Sequence, residues 1–109
     1  MNARVLVTGG NGFVGSQVVA RLGAHPEVQR VVSLDLRPGP AGDKVRAVEM
    51  DVRDPAMSDL VLEEEIDRVI HLAAVVSPTP GHTTAYLHSV DVGGASNVIK
   101  AAVAVVPGT

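Results

Sequence analysis

The chain has 109 residues, of which 46% are hydrophobic, 2% aromatic and 19% charged, with a formal net charge of −3 and no cysteine. That length supports one domain, and its core must be built from β-branched and small side chains. Without cysteine there is no disulfide framework, thiolate metal site or cysteine nucleophile; without a basic cluster there is no electrostatic footprint for nucleic acid; and no apolar run approaches the roughly 18 residues of a membrane span.

Only Asn2, Ala3 and Arg4 separate Met1 from the first apolar run, so neither a signal nor a transit peptide is expected and a soluble cytoplasmic protein is the default. The first strand is expected from Arg4 to Thr8. Its continuous apolar run, Val5-Leu6-Val7, is the kind that lies in a parallel sheet covered on both faces. A glycine-rich turn follows, Thr8-Gly9-Gly10-Asn11-Gly12-Phe13-Val14-Gly15. From about Gly12 a helix carries Phe13, Val14, Val18, Val19 and Leu22 at helical spacing, and Gly23-Ala24-His25-Pro26 stops it.

A second strand is expected from Arg30 to Asp35, then an exposed loop through Arg37-Pro38-Gly39-Pro40-Ala41-Gly42. The third strand runs from Val45 to Met50. Asp54 and Pro55 then read as the cap and first position of a helix that ends near Glu65. Glu63-Glu64-Glu65 is expected to be its solvated end. The fourth strand is Val69-Ile70-His71-Leu72. Residues 75–84 contain Ser77-Pro78-Thr79-Pro80-Gly81 and should be irregular, and a long helix should fill 85–105. Gly93 and Gly94 cost that helix about 1 kcal/mol each relative to alanine, which marks them as close-packing positions.

Strands alternating with helices imply a parallel sheet with right-handed crossovers, in order 3-2-1-4, whose switch point falls between strands 1 and 4. Gly9 to Gly15, Asp35, Asp51, Ala73 and Ala74 then share one carboxyl edge, where an open α/β sheet binds its ligand. A strand, a tight glycine turn and a helix N-terminus are the physical means of holding a pyrophosphate. Here the glycines are spaced G-x-x-G-x-x-G, at Gly9, Gly12 and Gly15.

Asp35 lies 20 residues after Gly15, at the end of the second strand. A carboxylate there accepts from both ribose hydroxyls and repels a 2′-phosphate, which favours NAD(H) over NADP(H). Leu36 and Arg37 follow it and join the candidate cofactor-binding residues. Arg37 complicates the preference, since an arginine can pair with that phosphate. His71, with no ligand spacing to His82 or His88, reads as a packed or hydrogen-bonded histidine rather than a metal ligand. Ser77, Thr79, His82 and Thr83 are loop candidates for a substrate contact.

These motifs resemble the extended branch of the short-chain dehydrogenase/reductase superfamily, the NAD-dependent epimerase/dehydratase family. The turn from Thr8 to Gly15 is similar to that branch's T-G-x-x-G-F-x-G, and His71-Leu72-Ala73-Ala74 to its H-x-A-A. Asp91-Val92-Gly93-Gly94-Ala95-Ser96-Asn97-Val98 resembles its N-V-x-G-T-x-N-V, departing at Asp91 and Ala95. The resemblance implies a Rossmann-type, doubly wound α/β domain over residues 1–109, ending after the helix that follows strand 4. It also implies that Asp51 and Val52 contact adenine, the carboxylate accepting from the amino group and the Val52 N–H meeting a ring nitrogen. Gly9, Gly12, Phe13, Val14, Gly15, Leu72, Ala73 and Ala74 would line the rest of the cofactor, the two alanines by their smallness.

The family's Tyr-x-x-x-Lys has no match. Tyr86 is followed four residues on by Val90, and neither Lys44 nor Lys100 is suitably placed. No catalytic residue is therefore assigned, and the chain looks like the N-terminal cofactor half of an enzyme acting by hydride transfer on a sugar-nucleotide or similar hydroxyl or carbonyl substrate. A non-catalytic NAD(H)-binding module and an inactive remnant are the alternatives. An open strand-4 edge would also favour a homo-oligomer.

Overall fold

A computed structural model describes residues 3–73. In chain order they form β1 (Ala3–Thr8), α1 (Phe13–Ala24), β2 (Val28–Asp35), β3 (Val45–Glu49), α2 (Met57–Glu63) and β4 (Arg68–His71). The strands make one sheet in the order β3-β2-β1-β4. Each neighbouring pair is parallel, with Thr8 opposite both Leu34 and His71, and Asp35 opposite Glu49.

The apolar run in β1 is continuous because both faces of the sheet are covered. Val5 and Val7 point to the α1 side, where they bury against Val19, Val28 and Val31. Leu6 points the other way, into a second core with Val32, Leu34, Met57, Leu60, Val61 and Ile66. Alternate residues of one strand thus enter different cores, the arrangement that a doubly wound sheet requires. The expected order 3-2-1-4 is the one observed. The helix expected over 85–105 and the irregular stretch before it lie outside the described residues.

Element ends move by a residue or two. β2 starts at Val28 rather than Arg30, since Val28 is buried and its N–H returns to the His25 carbonyl after the Pro26 turn. Asp54 Oδ1 accepts the Ala56 N–H at 2.8 Å in the turn ahead of the helix, but Asp54 is not the cap: the N-cap is Ala56, without a side-chain cap, and the regular helix begins at Met57.

The glutamate run overturns the sequence expectation. The helix closes in a Schellman motif: the Ile66 N–H reaches the Val61 carbonyl at 3.0 Å and the Glu65 N–H reaches Leu62 at 3.2 Å, with Glu65 in the left-handed region at φ 53°. Glu63 and Glu65 are exposed, yet Glu64 is only 6% exposed. Its carboxylate takes Arg46 of β3 at 2.7 Å, Arg30 of β2 at 3.3 Å and Arg4 of β1 at 3.5 Å. Arg4 Nε also donates to the Glu64 carbonyl at 2.6 Å. Helical spacing alone could not reveal this, because the three arginines come from three different strands.

Candidate functional site

The glycine turn hangs from the end of β2. The N–H groups of Gly9 and Gly10 donate to the Leu34 carbonyl at 2.8 and 3.2 Å, and the Gly12 N–H returns to the Gly9 carbonyl at 3.1 Å. Gly9 has φ +70°, and a Cβ on it would lie 2.9 Å from the Ala73 nitrogen. A Cβ on Gly15 would run into the Gly9 carbonyl oxygen. Two of the three spaced glycines are thus required by backbone packing: one by its dihedral and its contact with the end of β4, the other by the seating of α1 on the turn.

Gly12 occupies the N-cap of α1 and brings no side-chain cap, and the first turn carries no acid. The N–H groups of Phe13, Val14 and Gly15 form the opening turn of the helix, whose amides have no intrahelical acceptor. They bring the positive end of the helix dipole to the carboxyl edge. The side chains of Phe13 and Val14 are exposed, at 85% and 57%.

Asp35 stands beside this turn. Its Oδ2 accepts the Asn11 N–H at 3.0 Å and its Oδ1 accepts the Leu36 N–H at 2.8 Å. Leu36 and Arg37 are exposed just beyond it. Asn11, a residue that spacing arguments passed over, also faces Gly39, where a Cβ would lie 2.7 Å from its Oδ1. The loop after β2 therefore folds back onto the glycine turn.

Asp51 lies two residues past the end of β3. Its carboxylate is gripped by Arg53, with Oδ1 accepting from Nε at 2.9 Å and from the Arg53 N–H at 2.8 Å, and Oδ2 from Nη2 at 2.6 Å. These contacts hold its pKa below the usual carboxylate range, the Arg53 side chain contributing most. Val52 turns its side chain into the α2-side core.

At the end of β4, Leu72 is exposed and Ala73 packs against that same core. Thr8, the first residue of the motif, is fully buried, and its Oγ1 lies 2.6 Å from His71 Nδ1. His71 is thus a hydrogen-bonded histidine, and burial pushes its pKa down. Of the candidates, Gly9, Gly12, Phe13, Val14, Gly15, Asp35, Leu36, Arg37, Asp51, Val52, Leu72 and Ala73 come from the carboxyl ends of adjacent strands or the turns leaving them. Ala74, Ser77, Thr79, His82, Thr83, Tyr86, Asp91 and Ala95 lie outside the described residues. A cavity of about 210 Å³ between α1, β2 and residues 40–42, lined in part by Gly10, Ser16 and Ser33, contains none of the candidates.

Residues 5–107 match the model of the NAD dependent epimerase/dehydratase family. The chain belongs to that family. It is 36% identical over 95 residues to a D-erythronate dehydrogenase of Haemophilus influenzae, covering 77% of this chain and 30% of the relative. Among solved structures it is similar to a glucuronic acid dehydrogenase from Chromohalobacter salexigens, with TM-score 0.80 and 31% identity over 97% of this chain and 38% of the other. A uronate dehydrogenase mutant from Agrobacterium tumefaciens, complexed with NAD, matches with TM-score 0.78 and 28% identity, over 95% of this chain and 37% of that one. The chain spans about a third of the length of these proteins. The family assignment and the parallel 3-2-1-4 sheet agree with what the motifs implied. Among the described residues no helix is long and apolar enough to cross a membrane.

Proposed function

We propose that the chain is the NAD(H)-binding portion of an oxidoreductase that moves hydride between the nicotinamide and a hydroxyl-bearing or carbonyl carbon of a sugar-derived substrate. The observation that carries this reading is the placement of the Asp35 carboxylate, by two backbone N–H groups, beside a glycine turn that opens a helix. That cradle suits a dinucleotide: Gly9 and Gly15 leave no room for a Cβ, and the first-turn amides of Phe13, Val14 and Gly15 aim at the place a pyrophosphate takes.

In this reading Asp35 accepts from both ribose hydroxyls and selects NAD over NADP, with Leu36 and Arg37 at the ribose and Asp51 and Val52 at the adenine. Leu72, Ala73 and Ala74 give the nicotinamide half a low wall. The Arg53 grip on Asp51 means that an adenine amino group shares that carboxylate rather than finding it open. The names of some of the similar proteins, dehydrogenases of uronate, glucuronic acid and D-erythronate, support a sugar acid within the broader class of sugar and sugar-nucleotide substrates. NAD, when bound, supplies the hydride acceptor; the chain's own groups bind and orient it. We extend the reading to a homo-oligomeric protein, which sedimentation at several concentrations tests.

Titration of the 109-residue chain with NADH and NADPH tests the main reading. Binding of NADH, tighter than NADPH, is expected, without turnover of any sugar acid, since Tyr86 has Val90 where a lysine would stand. Absence of NADH binding overturns it. Turnover by the pure chain would show that catalytic groups other than Tyr-x-x-x-Lys are at work.

A further inference from the structure

The Thr8 hydroxyl is the meeting point of three groups. Its Oγ1 accepts the N–H of Leu72 at 3.1 Å and of Ala73 at 3.3 Å, and stands 2.6 Å from His71 Nδ1. A hydroxyl has one proton and two lone pairs. The Leu72 N–H is shared with the Thr8 carbonyl, also at 3.1 Å, while Nδ1 is the acceptor that the described residues offer the buried hydroxyl proton, so Nδ1 is the unprotonated nitrogen and the ring proton sits on Nε2. The opposite tautomer would leave that buried hydroxyl proton without an acceptor among the described residues. The neutral ring that this requires is also the form that burial favours.

From this we infer that His71 is a positioning residue: its Nδ1 lone pair fixes the Thr8 hydroxyl in the orientation that docks the Leu72 and Ala73 amides, and so sets the segment against which the Gly9 turn closes. The closeness of that approach gives the role its consequence. The Gly9 backbone already touches Leu72 and Ala73 so tightly that a Cβ would not fit, so a shift of the 72–73 backbone displaces the glycine turn with it. The link to cofactor binding rests on the proposed NAD(H) reading; the hydrogen-bond relay does not.

Two variants and one spectrum test it. In the full chain with ¹⁵N-labelled histidine, His71 should show an unprotonated, imine-type Nδ1 and a protonated Nε2; a protonated Nδ1 overturns the inference. His71→Phe keeps a ring but removes the acceptor, whereas His71→Asn puts an amide oxygen close to where Nδ1 was. The phenylalanine variant should speed hydrogen exchange at the Ala73 amide, the Leu72 amide keeping its bond to the Thr8 carbonyl, and weaken NADH binding, each by about tenfold, the equivalent of one hydrogen bond. Asparagine should restore both to within about threefold of the native values. Unchanged exchange in His71→Phe, or no rescue by asparagine, overturns the relay. Should His71→Phe fail to fold, the spectrum of the native chain still decides. Failure of the native chain to bind NADH counts against the proposed function, while the spectrum and the exchange rates still decide the role of His71.

Discussion

Asn11 and Asp35 are tied across the carboxyl edge, the backbone N–H of the first donating to Oδ2 of the second at 3.0 Å. A turn after β1 and the last residue of β2 therefore share one carboxylate, which the Leu36 N–H holds from the other side. In the proposed NAD(H) reading the acid is oriented before a ribose arrives, so little ordering entropy remains to be lost on binding.

Replacing that acid tests its role. Asp35→Ala is expected to weaken NAD binding by about 1.5–3 kcal/mol, roughly tenfold to a hundredfold, and to narrow the preference against NADP. Calorimetric titration of both cofactors reads this. An unchanged NAD affinity would take Asp35 out of the site.

Gly15→Ala should act through packing alone. Its Cβ needs the space of the Gly9 carbonyl oxygen, so α1 has to draw back from the turn. A loss of about 1–3 kcal/mol is expected, read as a lower urea midpoint, together with weaker NADH binding. An unaltered midpoint would mean that the helix slides off the turn freely.

Glu64 confers acid sensitivity. Its pKa is lowered, first by the Arg46 hydrogen bond and then by the attraction of Arg30, Arg46 and Arg4, against the opposing effect of burial. A carboxylate with a depressed folded pKa stabilises fully above its unfolded value, and that stability is lost as pH falls through the folded value. Glu64→Gln should cost about 1–3 kcal/mol at neutral pH, less than a fully buried pair because Arg46 remains 43% exposed to water. The deficit should shrink below about pH 4. Denaturant unfolding across this range checks it, and parallel stability curves for the two proteins would remove Glu64 as the cause.

At Glu65 the expectation is a gain. A left-handed residue carrying a Cβ closes α2 where glycine is the usual choice. Glu65→Gly should stabilise by about 0.5–1 kcal/mol, set by relief of strain less the extra chain entropy. Thermal unfolding reads the sign, and destabilisation would show that the Glu65 side chain contributes a contact worth more than the strain.

Much of this architecture was legible in the chain because the signals are local. Val5-Leu6-Val7, the glycine spacing and Asp35 follow one another within a single strand–helix–strand unit, so periodicity and turn chemistry suffice to place them. The strand order is the one that goes with a dinucleotide site, which the glycine turn and the following acid mark. Contacts that join distant segments were not legible. Glu64 reads as a solvated helix end until β1, β2 and β3 align Arg4, Arg30 and Arg46 over it. Thr8 reads as the last residue of a strand until β4 brings His71 alongside. Asn11 has no signature in spacing, because its part in the site is played by a backbone N–H that any residue but proline owns.

The single acid beneath three strands also makes the amino-terminal edge of the sheet unequally tolerant of mutation. Loss of any one arginine leaves Glu64 two partners and the buried charge still answered. Loss of the glutamate leaves three guanidinium groups crowded together with their shared counter-charge gone, Arg46 alone keeping its exposed partner Glu63 at 3.2 Å among the ion pairs of this cluster. Sequence drift among homologues should therefore pass through positions 4, 30 and 46 one at a time, while position 64 changes only when the cluster is rebuilt around it.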